Sequence, residues 1–389
     1  MATGFNRQLI ERRATNVIGA VPVESSARFA AGTRVARAAF EFALHEHRVA
    51  LRIVAAQFIV SWFICISAHR PVIVGFSDAL ITVWGAALIY GVISVAVGLV
   101  QRRPDGMPAA QGYSAAWTRL YRERFSASWC ASVLLMLVIL PISLDVFSAA
   151  KRAIPGLSPF SWDVRIDSLG VWMHGGHRPW ELLQPILGHP WITVLLDRYY
   201  HLGWSCIVLG VQGLVLVAAP SSLRQRYLTA SILVWFVVGT VGAFLFASVG
   251  PPFYNKVVPG VNPYSQLFAY LDSVNRATPL LARGGQHMLW SAYVHGSDTF
   301  GFGISAMPSV HIASITLVAC LAFALNRWLG IVATLAAALM FASSISLGWH
   351  YAVDGYAGAM MAIALWFVAR WMERRYRRER EAPLLALLR

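Results

Sequence analysis

The composition of the 389-residue chain is that of a membrane protein. Hydrophobic residues make up 57% of the sequence and charged residues 13%, and the mean hydropathy is +0.58. Soluble domains carry charge on about a quarter of their residues, so these values exclude an ordinary soluble domain and a disordered chain. The net charge is +14, but the basic residues lie between long apolar runs and not in a soluble basic domain, so nucleic acid is not expected as a partner.

Eight apolar runs are long enough to cross a bilayer. A hydrocarbon core ~30 Å thick needs about 20 apolar residues per helix. The sequence therefore predicts an all-α integral membrane protein with about eight transmembrane helices. These runs cover approximately residues 49–68, 79–100, 127–147, 202–219, 227–249, 307–325, 328–349 and 351–371.

Charge and hydropathy divide the chain into four segments. Residues 1–48 are basic, with arginines and apolar residues in a helical pattern typical of a helix in the membrane interface; a solvated tail is the alternative. Residues 49–147 hold the N-terminal transmembrane helices. Residues 148–373 form the membrane domain that carries the motifs described below, and residues 374–389 form a basic cytoplasmic tail.

The distribution of basic residues predicts the orientation in the membrane. With the N-terminus inside, 23 of the 32 Lys and Arg residues lie on inner segments and nine on outer segments. Because cytoplasmic loops keep an excess of Lys and Arg, we expect both termini in the cytoplasm. The long outer segments are then residues 148–201, rich in Trp and expected to form short interfacial helices, and residues 250–306.

Three ionisable residues lie at the ends of the last apolar runs. His311 begins the sixth run, His350 closes the seventh, and Asp354 opens the eighth. Placing an ionisable side chain within a membrane costs ~2.5 kcal/mol or more, so such residues are functional candidates. Because about two membrane crossings separate the two histidines, all three residues are expected on the outer side.

Their spacing favours nucleophilic chemistry. His350 and Asp354 are four residues apart, which places them on one face if a helix is continuous there. A carboxylate bonded to one imidazole nitrogen fixes the tautomer and leaves the other nitrogen free to attack. Serine is a good helix N-cap and proline is favoured in the first turn of a helix, so Pro308 and Ser309 are typical of a helix beginning. The free amide groups of such a turn bind anions. Each motif alone is common as packing or capping, whereas their combination on one face indicates a shared site.

These motifs resemble two signatures of the type 2 phosphatidic acid phosphatase (PAP2) superfamily. Residues 308–311 (PSVH) are similar to its second signature and residues 350–354 (HYAVD) to its third. The similarity covers roughly residues 160–373. Three longer segments resemble its inositol phosphorylceramide synthase branch: residues 250–255, 302–311 and 348–354.

The resemblance implies a PAP2-like helical bundle and a metal-independent phosphoryl transfer in two steps. It implies that His350 attacks phosphorus and forms a phosphohistidine, that Asp354 orients His350, and that His311 protonates the leaving oxygen. An alcohol or water, deprotonated by His311, then takes the phosphoryl group. The implied partners are a phospholipid or polyprenyl phosphate donor and a lipid alcohol acceptor or water, without a cofactor. The outer histidines show no HxxxH or HExxH spacing, so no metal site is expected.

Two cationic positions of the phosphatase branch are missing. Its arginine six residues before the third-signature histidine is Ser344 here, and its first signature, a lysine followed after six residues by Arg-Pro, is absent after Lys256. These departures favour the synthase branch. The remaining candidates for substrate binding are the helix-opening residues Pro308 and Ser309, the outer-loop cations Lys256, Arg276 and Arg283, and the possible headgroup ligands Tyr200 and His201, for which an aromatic belt is the alternative.

We therefore expect a lipid phosphotransferase of a bacterial inner membrane, similar to inositol phosphorylceramide synthase, with its active site on the periplasmic side. The first alternative is a lipid phosphate or polyprenyl diphosphate phosphatase of the same superfamily. An alternative of another class is a non-catalytic transporter or scaffold, which does not account for three ionisable residues gathered on one face.

Overall fold

The regular structure of the chain is helical, as predicted. The computed structural model describes residues 22–72, 85, 126–296, 301 and 303–386, and no strand occurs among them. In chain order the main helices are α1 Pro22–Glu46, α2 Arg48–Ser67, α3 Ala127–Ala153, α4 Asp163–Met173, α5 Pro179–Leu187, α6 Pro190–Ala218, α7 Ser221–Leu245, α8 Ser265–Ala277, α9 Leu281–His295, α10 Val310–Leu325, α11 Arg327–Ser346 and α12 Ala352–Ala386.

The chain forms two compact units. The first comprises residues 1–47 and 102–135, and the second residues 48–101 and 136–389. In the first unit, the buried Ser132 of α3 donates a hydrogen bond to the buried carboxylate of Glu46 in α1. The predicted helix within residues 1–48 is present as α1, while its interfacial position and the four-segment division of the sequence stay predictions.

Six helices in the described part of the chain are long and apolar enough to cross a membrane: α2, α3, α6, α7, α11 and the first part of α12, Ala352–Tyr376. They account for six of the predicted runs and confirm a helical membrane protein. The run at 307–325 forms the shorter α10, and the run at 79–100 lies outside the described residues. The count of eight stays a prediction.

Helix α6 begins well before the predicted residue 202. The polar pair Asp197 and Arg198 lowers the hydropathy there, but the backbone continues as a helix from Pro190. Residues Tyr199–Gly203 form a π-helical turn inside α6. Such turns insert one extra residue into a helix and are frequent at functional sites.

Helix α10 is the centre of the second unit. It packs against α6, α7, α11 and α12, and it is apolar on all sides, as expected of a helix surrounded by protein. Its 16 residues span about 24 Å, less than a hydrocarbon core of ~30 Å. Its length therefore sets it apart from the six helices that are long enough to cross a membrane.

Helix α12 lies very close to the beginning of α10. A Cβ atom on Gly358 of α12 would lie 2.4 Å from the carbonyl oxygen of Ser309, so only glycine allows this approach. The backbone N–H of Ser309 also donates to the carbonyl of Asp354 at 3.0 Å. These contacts bring the N-terminal ends of α10 and α12 together, and with them the second and third signatures.

Candidate active site

His350 and Asp354 form a hydrogen-bonded pair. Nδ1 of His350 lies 3.3 Å from Oδ2 of Asp354, and the Asp354 side chain is fully buried. The pair does not stand on one continuous helix, because α11 ends at Ser346 and α12 begins at Ala352. His350 lies in the connecting loop.

The pairing follows from the way α12 begins. Asp354 is the third residue of the helix, and its Oδ2 accepts the backbone N–H of Tyr351 at 3.0 Å. An acidic residue at this position commonly binds the N–H of the capping residue in this way. The carboxylate is thereby turned back toward the loop, where it meets the imidazole of His350. The four-residue spacing thus brings the pair together through a helix cap.

Ser309 links His350 to the beginning of α10. Its hydroxyl lies 3.2 Å from Nε2 of His350 and accepts the N–H of Ile312 at 3.4 Å. Ser309 is the N-cap of α10, as predicted, while Pro308 precedes the cap and lies outside the first turn. With Nδ1–H donated to Asp354, the lone pair of His350 is on Nε2 and accepts the Ser309 hydroxyl.

His311 faces His350 across a gap. The two ring centroids are 6.4 Å apart. His311 stacks on Tyr200 at 4.9 Å and contacts Trp204 at 4.4 Å between centroids. Both aromatic residues belong to α6, so the π-helical turn and the residue after it fix the position of the His311 ring.

Both histidines open into one cavity of about 200 Å³. Ser309 and Asp354 lie behind its wall. Most of the described lining is apolar or aromatic. The polar and aromatic residues on its wall include Lys151, Tyr200, His201, His311, Trp349 and His350.

Tyr200 and His201 both lie on the cavity wall. The ring of Trp349 stacks on Tyr200 at 6.1 Å and meets His201 edge-on at 5.8 Å between centroids. Nδ1 of His201 donates to the carbonyl of Asp197 at 2.8 Å. No described residue bonds its buried Nε2, which leaves this nitrogen available to a substrate group.

The outer-loop cations are placed elsewhere. Lys256 and Arg276 are exposed, and the guanidinium of Arg283 binds the carboxylate of Asp272 at 2.7 Å. None of the three lines the described wall of the cavity. Ser344, at the position of the missing arginine, is fully buried and its hydroxyl donates to the carbonyl of Phe341. The phosphate-binding role assigned to these outer cations stays a prediction.

Sequence reasoning missed Lys151. This residue lies near the end of α3 and lines the cavity together with both histidines. Ser158-Pro159 follow it after six residues, so the lysine and the proline of the first signature are present and Ser158 replaces the arginine. This spacing was the available signal, together with the residue type, because Lys151 and Lys256 are the only lysines in a chain with 30 arginines.

Asp163 holds the loops around the site. Its carboxylate accepts the N–H groups of Val249 and Gly250, at 3.0 and 2.9 Å, and the hydroxyl of Tyr351 at 2.9 Å. Burial raises the pKa of Asp163, and these hydrogen bonds oppose that rise. Since Tyr351 follows His350 directly, this carboxylate ties the segment after α7 to the loop of the nucleophile candidate.

Comparison with known families agrees with this geometry. A family model of the PAP2 superfamily matches residues 169–368, just over half of the chain. The chain belongs to the PAP2 superfamily. The matched region contains His311, His350 and Asp354, whereas α3 precedes it. No curated protein and no solved structure gave a match.

Membership of the PAP2 superfamily implies an enzyme of the phosphatase or phosphotransferase type that acts on lipid phosphates in a membrane. It does not by itself select the synthase branch. The choice between water and an alcohol as acceptor depends on the residues around the cavity.

Proposed function

We propose that this protein is a lipid phosphotransferase similar to inositol phosphorylceramide synthase. It transfers a phosphate-linked headgroup from a phospholipid to a lipid alcohol through a phosphohistidine. The observation that carries the proposal is the chain of contacts from Asp354 through His350 to Ser309, with His311 facing the same cavity.

In the first step, Nε2 of His350 attacks the phosphorus of the donor. Asp354 holds Nδ1–H and stabilises the positive charge that develops on the ring. The bond between phosphorus and the oxygen of the lipid backbone breaks, and His311 in its protonated form gives this oxygen a proton. The products are a free lipid alcohol and a headgroup phosphate bound to His350.

In the second step, the hydroxyl of the acceptor lipid attacks the phosphohistidine. His311, now neutral, takes the hydroxyl proton, and the bond between Nε2 of His350 and phosphorus breaks. Both histidines return to their starting states. Such a reaction depends mainly on positioning and on neutralising charge, and the amide groups at the beginning of α10 provide a fixed positive potential beside His350.

The surroundings of the cavity favour an alcohol over water as the acceptor. The rings of Tyr200 and Trp204 pack on His311 and reduce its contact with water, and Trp349 stacks on Tyr200. An active site that excludes water protects a reactive intermediate from hydrolysis. The free Nε2 of His201 provides an acceptor for a hydroxyl group. Hydrolysis of a lipid phosphate or polyprenyl diphosphate is the second candidate, because water at the same position yields a phosphatase.

The charge distribution supports a site on the periplasmic side of a bacterial inner membrane, with both termini in the cytoplasm. Single cysteines introduced within residues 250–296 of a cysteine-free variant should react with an impermeant thiol reagent in intact cells. A cysteine placed after Arg380 should react only after permeabilisation. The reverse pattern would place the site in the cytoplasm.

The phosphohistidine can be trapped directly. Purified protein is mixed with a phospholipid labelled with ³²P in its phosphate and quenched in alkali, which preserves phosphohistidine. Label should appear on the wild type and not on His350→Ala, whereas His311→Ala should still be labelled by a donor whose leaving group needs no protonation. His189→Ala is the control, since this exposed histidine does not line the cavity.

Transfer and hydrolysis are separated by adding acceptor lipids. The wild type should move label to a second lipid alcohol faster than it releases a water-soluble phosphate product. Steady release that is unaffected by acceptor lipids would favour the phosphatase.

A further inference from the structure

A second cavity lies at the far end of α12 from the candidate active site. It has a volume of about 300 Å³ and lies between α2 and α12, within the second unit. Arg375 on its wall follows Asp354 by 21 residues of continuous helix, which is about 32 Å at 1.5 Å per residue. This length is close to the ~30 Å thickness of a hydrocarbon core, so the two cavities lie at opposite interfaces of a bilayer.

Three arginines from two helices line this second cavity, which is called the arginine cavity below. Arg48 and Arg52, one turn apart, come from the beginning of α2, and Arg375 comes from α12. No Asp or Glu is among the described residues that line it. The buried carboxylate of Glu373, two residues before Arg375, accepts instead from Arg226 of α7 at 3.1 Å. The described wall of the arginine cavity is therefore strongly positive.

Aromatic rings in the same wall hold two of the guanidinium groups. The guanidinium carbon of Arg48 lies 4.4 Å from the ring centroid of the buried Tyr376, and that of Arg375 lies 5.7 Å from the ring centroid of Trp371. These contacts restrict two long side chains, which reduces the entropy lost when a ligand binds. Arginine binds phosphate through parallel N–H donors, so the arrangement favours a phosphate group as the ligand.

The rest of the wall matches the depth of lipid headgroups. The membrane spans of α2 and α12 have their ends at Arg48 and Tyr376, so the arginines lie where a bilayer carries its phosphates. The exposed Trp371 is typical of such an interface. Val49, Ile53 and Met372 add an apolar surface to the same cavity. A soluble phosphate compound would gain nothing from this surface, whereas the acyl chains of a lipid would cover it.

We propose that the arginine cavity binds an anionic phospholipid, which bridges α2 and α12 at the interface opposite the candidate active site. The phosphate of the lipid accepts from the exposed Arg52 and Arg375, and its acyl chains lie along Val49 and Ile53. Basic pockets between transmembrane helices commonly bind such headgroups. The inference does not depend on the chemistry at His350.

The test compares neighbouring arginines of one helix. Full-length protein in neutral detergent micelles is titrated with dioleoylphosphatidylglycerol, and bound lipid is counted by native mass spectrometry in ~0.3 M ammonium acetate, which screens long-range attraction. Arg52→Gln and Arg375→Gln should each weaken binding by about tenfold or more, the effect of one hydrogen bond to a charged group. Arg374→Gln removes an equal charge next to Arg375, but this exposed residue does not line the cavity, so it should bind as the wild type does.

The same titration contains the results that would overturn the inference. Equal losses in Arg375→Gln and Arg374→Gln would show a general attraction to surface charge and no site. Unchanged binding in both Arg52→Gln and Arg375→Gln would also overturn it. Equal affinity for dioleoylphosphatidylcholine would contradict the anionic ligand, and binding of glycerol 3-phosphate as tight as that of the lipid would make the ligand a soluble phosphate.

A measurement on the wild type needs no substitution in the cavity. Phosphatidylglycerol with a photoreactive group near the beginning of one acyl chain should label residues 48–53 or 371–376. His350→Ala should be labelled in the same segments, because its substitution lies about 32 Å away along α12. Absence of label from both segments, at a concentration that saturates the titration, would overturn the inference.

Discussion

Two histidine–aspartate pairs with the same four-residue separation border the cavity, and they use their carboxylates differently. In the pair His350 and Asp354, Oδ2 faces the imidazole and no described residue bonds Oδ1. In the pair His201 and Asp197, both carboxylate oxygens accept N–H groups from the first two residues of α9, each at 2.8 Å. Nδ1 of His201 donates to the backbone carbonyl of Asp197 at 2.8 Å, and Oδ1 of Asp197 lies farther from this nitrogen, at 3.4 Å.

The difference shows that residue type and spacing do not determine the role of such a pair. Asp354 opens its own helix, so its carboxylate is turned toward the preceding loop and the histidine there. Asp197 lies within α6 and caps a different helix, α9, which needs acceptors for its first N–H groups. In the proposed function, the first pair therefore carries the chemistry, and the second is mainly structural, with His201 as a ligand for the substrate.

The largest expected effect distinguishes the two aspartates in catalysis. Asp354→Asn should lower kcat on the order of 10³- to 10⁴-fold, because an amide stabilises the wrong tautomer of His350. Asp197→Asn should lower kcat far less, because its histidine is held by a backbone carbonyl. Steady-state kinetics of headgroup transfer with both purified variants measures this. Equal losses would remove the distinction between the pairs.

A second effect concerns stability, and here the larger loss is expected at Asp197, because its carboxylate caps α9. Asp197→Ala should reduce the free energy of unfolding by about 3 kcal/mol, because two backbone N–H groups of α9 lose their acceptor at roughly 1–3 kcal/mol each. Chemical unfolding in detergent micelles measures the loss. Asp272→Ala is the control, since it removes a partly exposed carboxylate paired with Arg283 and should cost at most about 1 kcal/mol. A loss for Asp197→Ala no larger than the control would contradict the capping role.

The smallest effect sharpens the role of His201. His201→Gln should raise the KM for the acceptor lipid by about 3- to 10-fold, the value of one neutral hydrogen bond. It should leave kcat and the yield of phosphohistidine nearly unchanged. Kinetics at varied acceptor concentration give both constants. A fall in kcat without a change in KM would instead place His201 in the chemical step.

Much of the fold was predictable because transmembrane helices are determined by local hydropathy. A run of about 20 apolar residues satisfies its own backbone hydrogen bonds within the bilayer, so neighbouring helices are not needed to recognise it. The predicted boundaries were wrong where a polar pair occurs inside a helix. Asp197 and Arg198 interrupt the hydropathy of α6 but not its hydrogen bonding, because Asp197 is neutralised by contacts with α9 and Arg198.

The sequence by itself determined the superfamily, the helical class and the proximity of His350 and Asp354, since these depend on residues close together in the chain. Only the tertiary structure decided which other side chains share their cavity. Lys151 precedes His311 by 160 positions and lines the same cavity because the end of α3 contacts Gly301 and Gly303. Lys256 and Arg276 are nearer in sequence but exposed. The wall of this cavity is built from separate helices, and the packing between them decides which side chains line it. Such packing does not require any particular sequence separation between those residues, so the sequence alone does not reveal them.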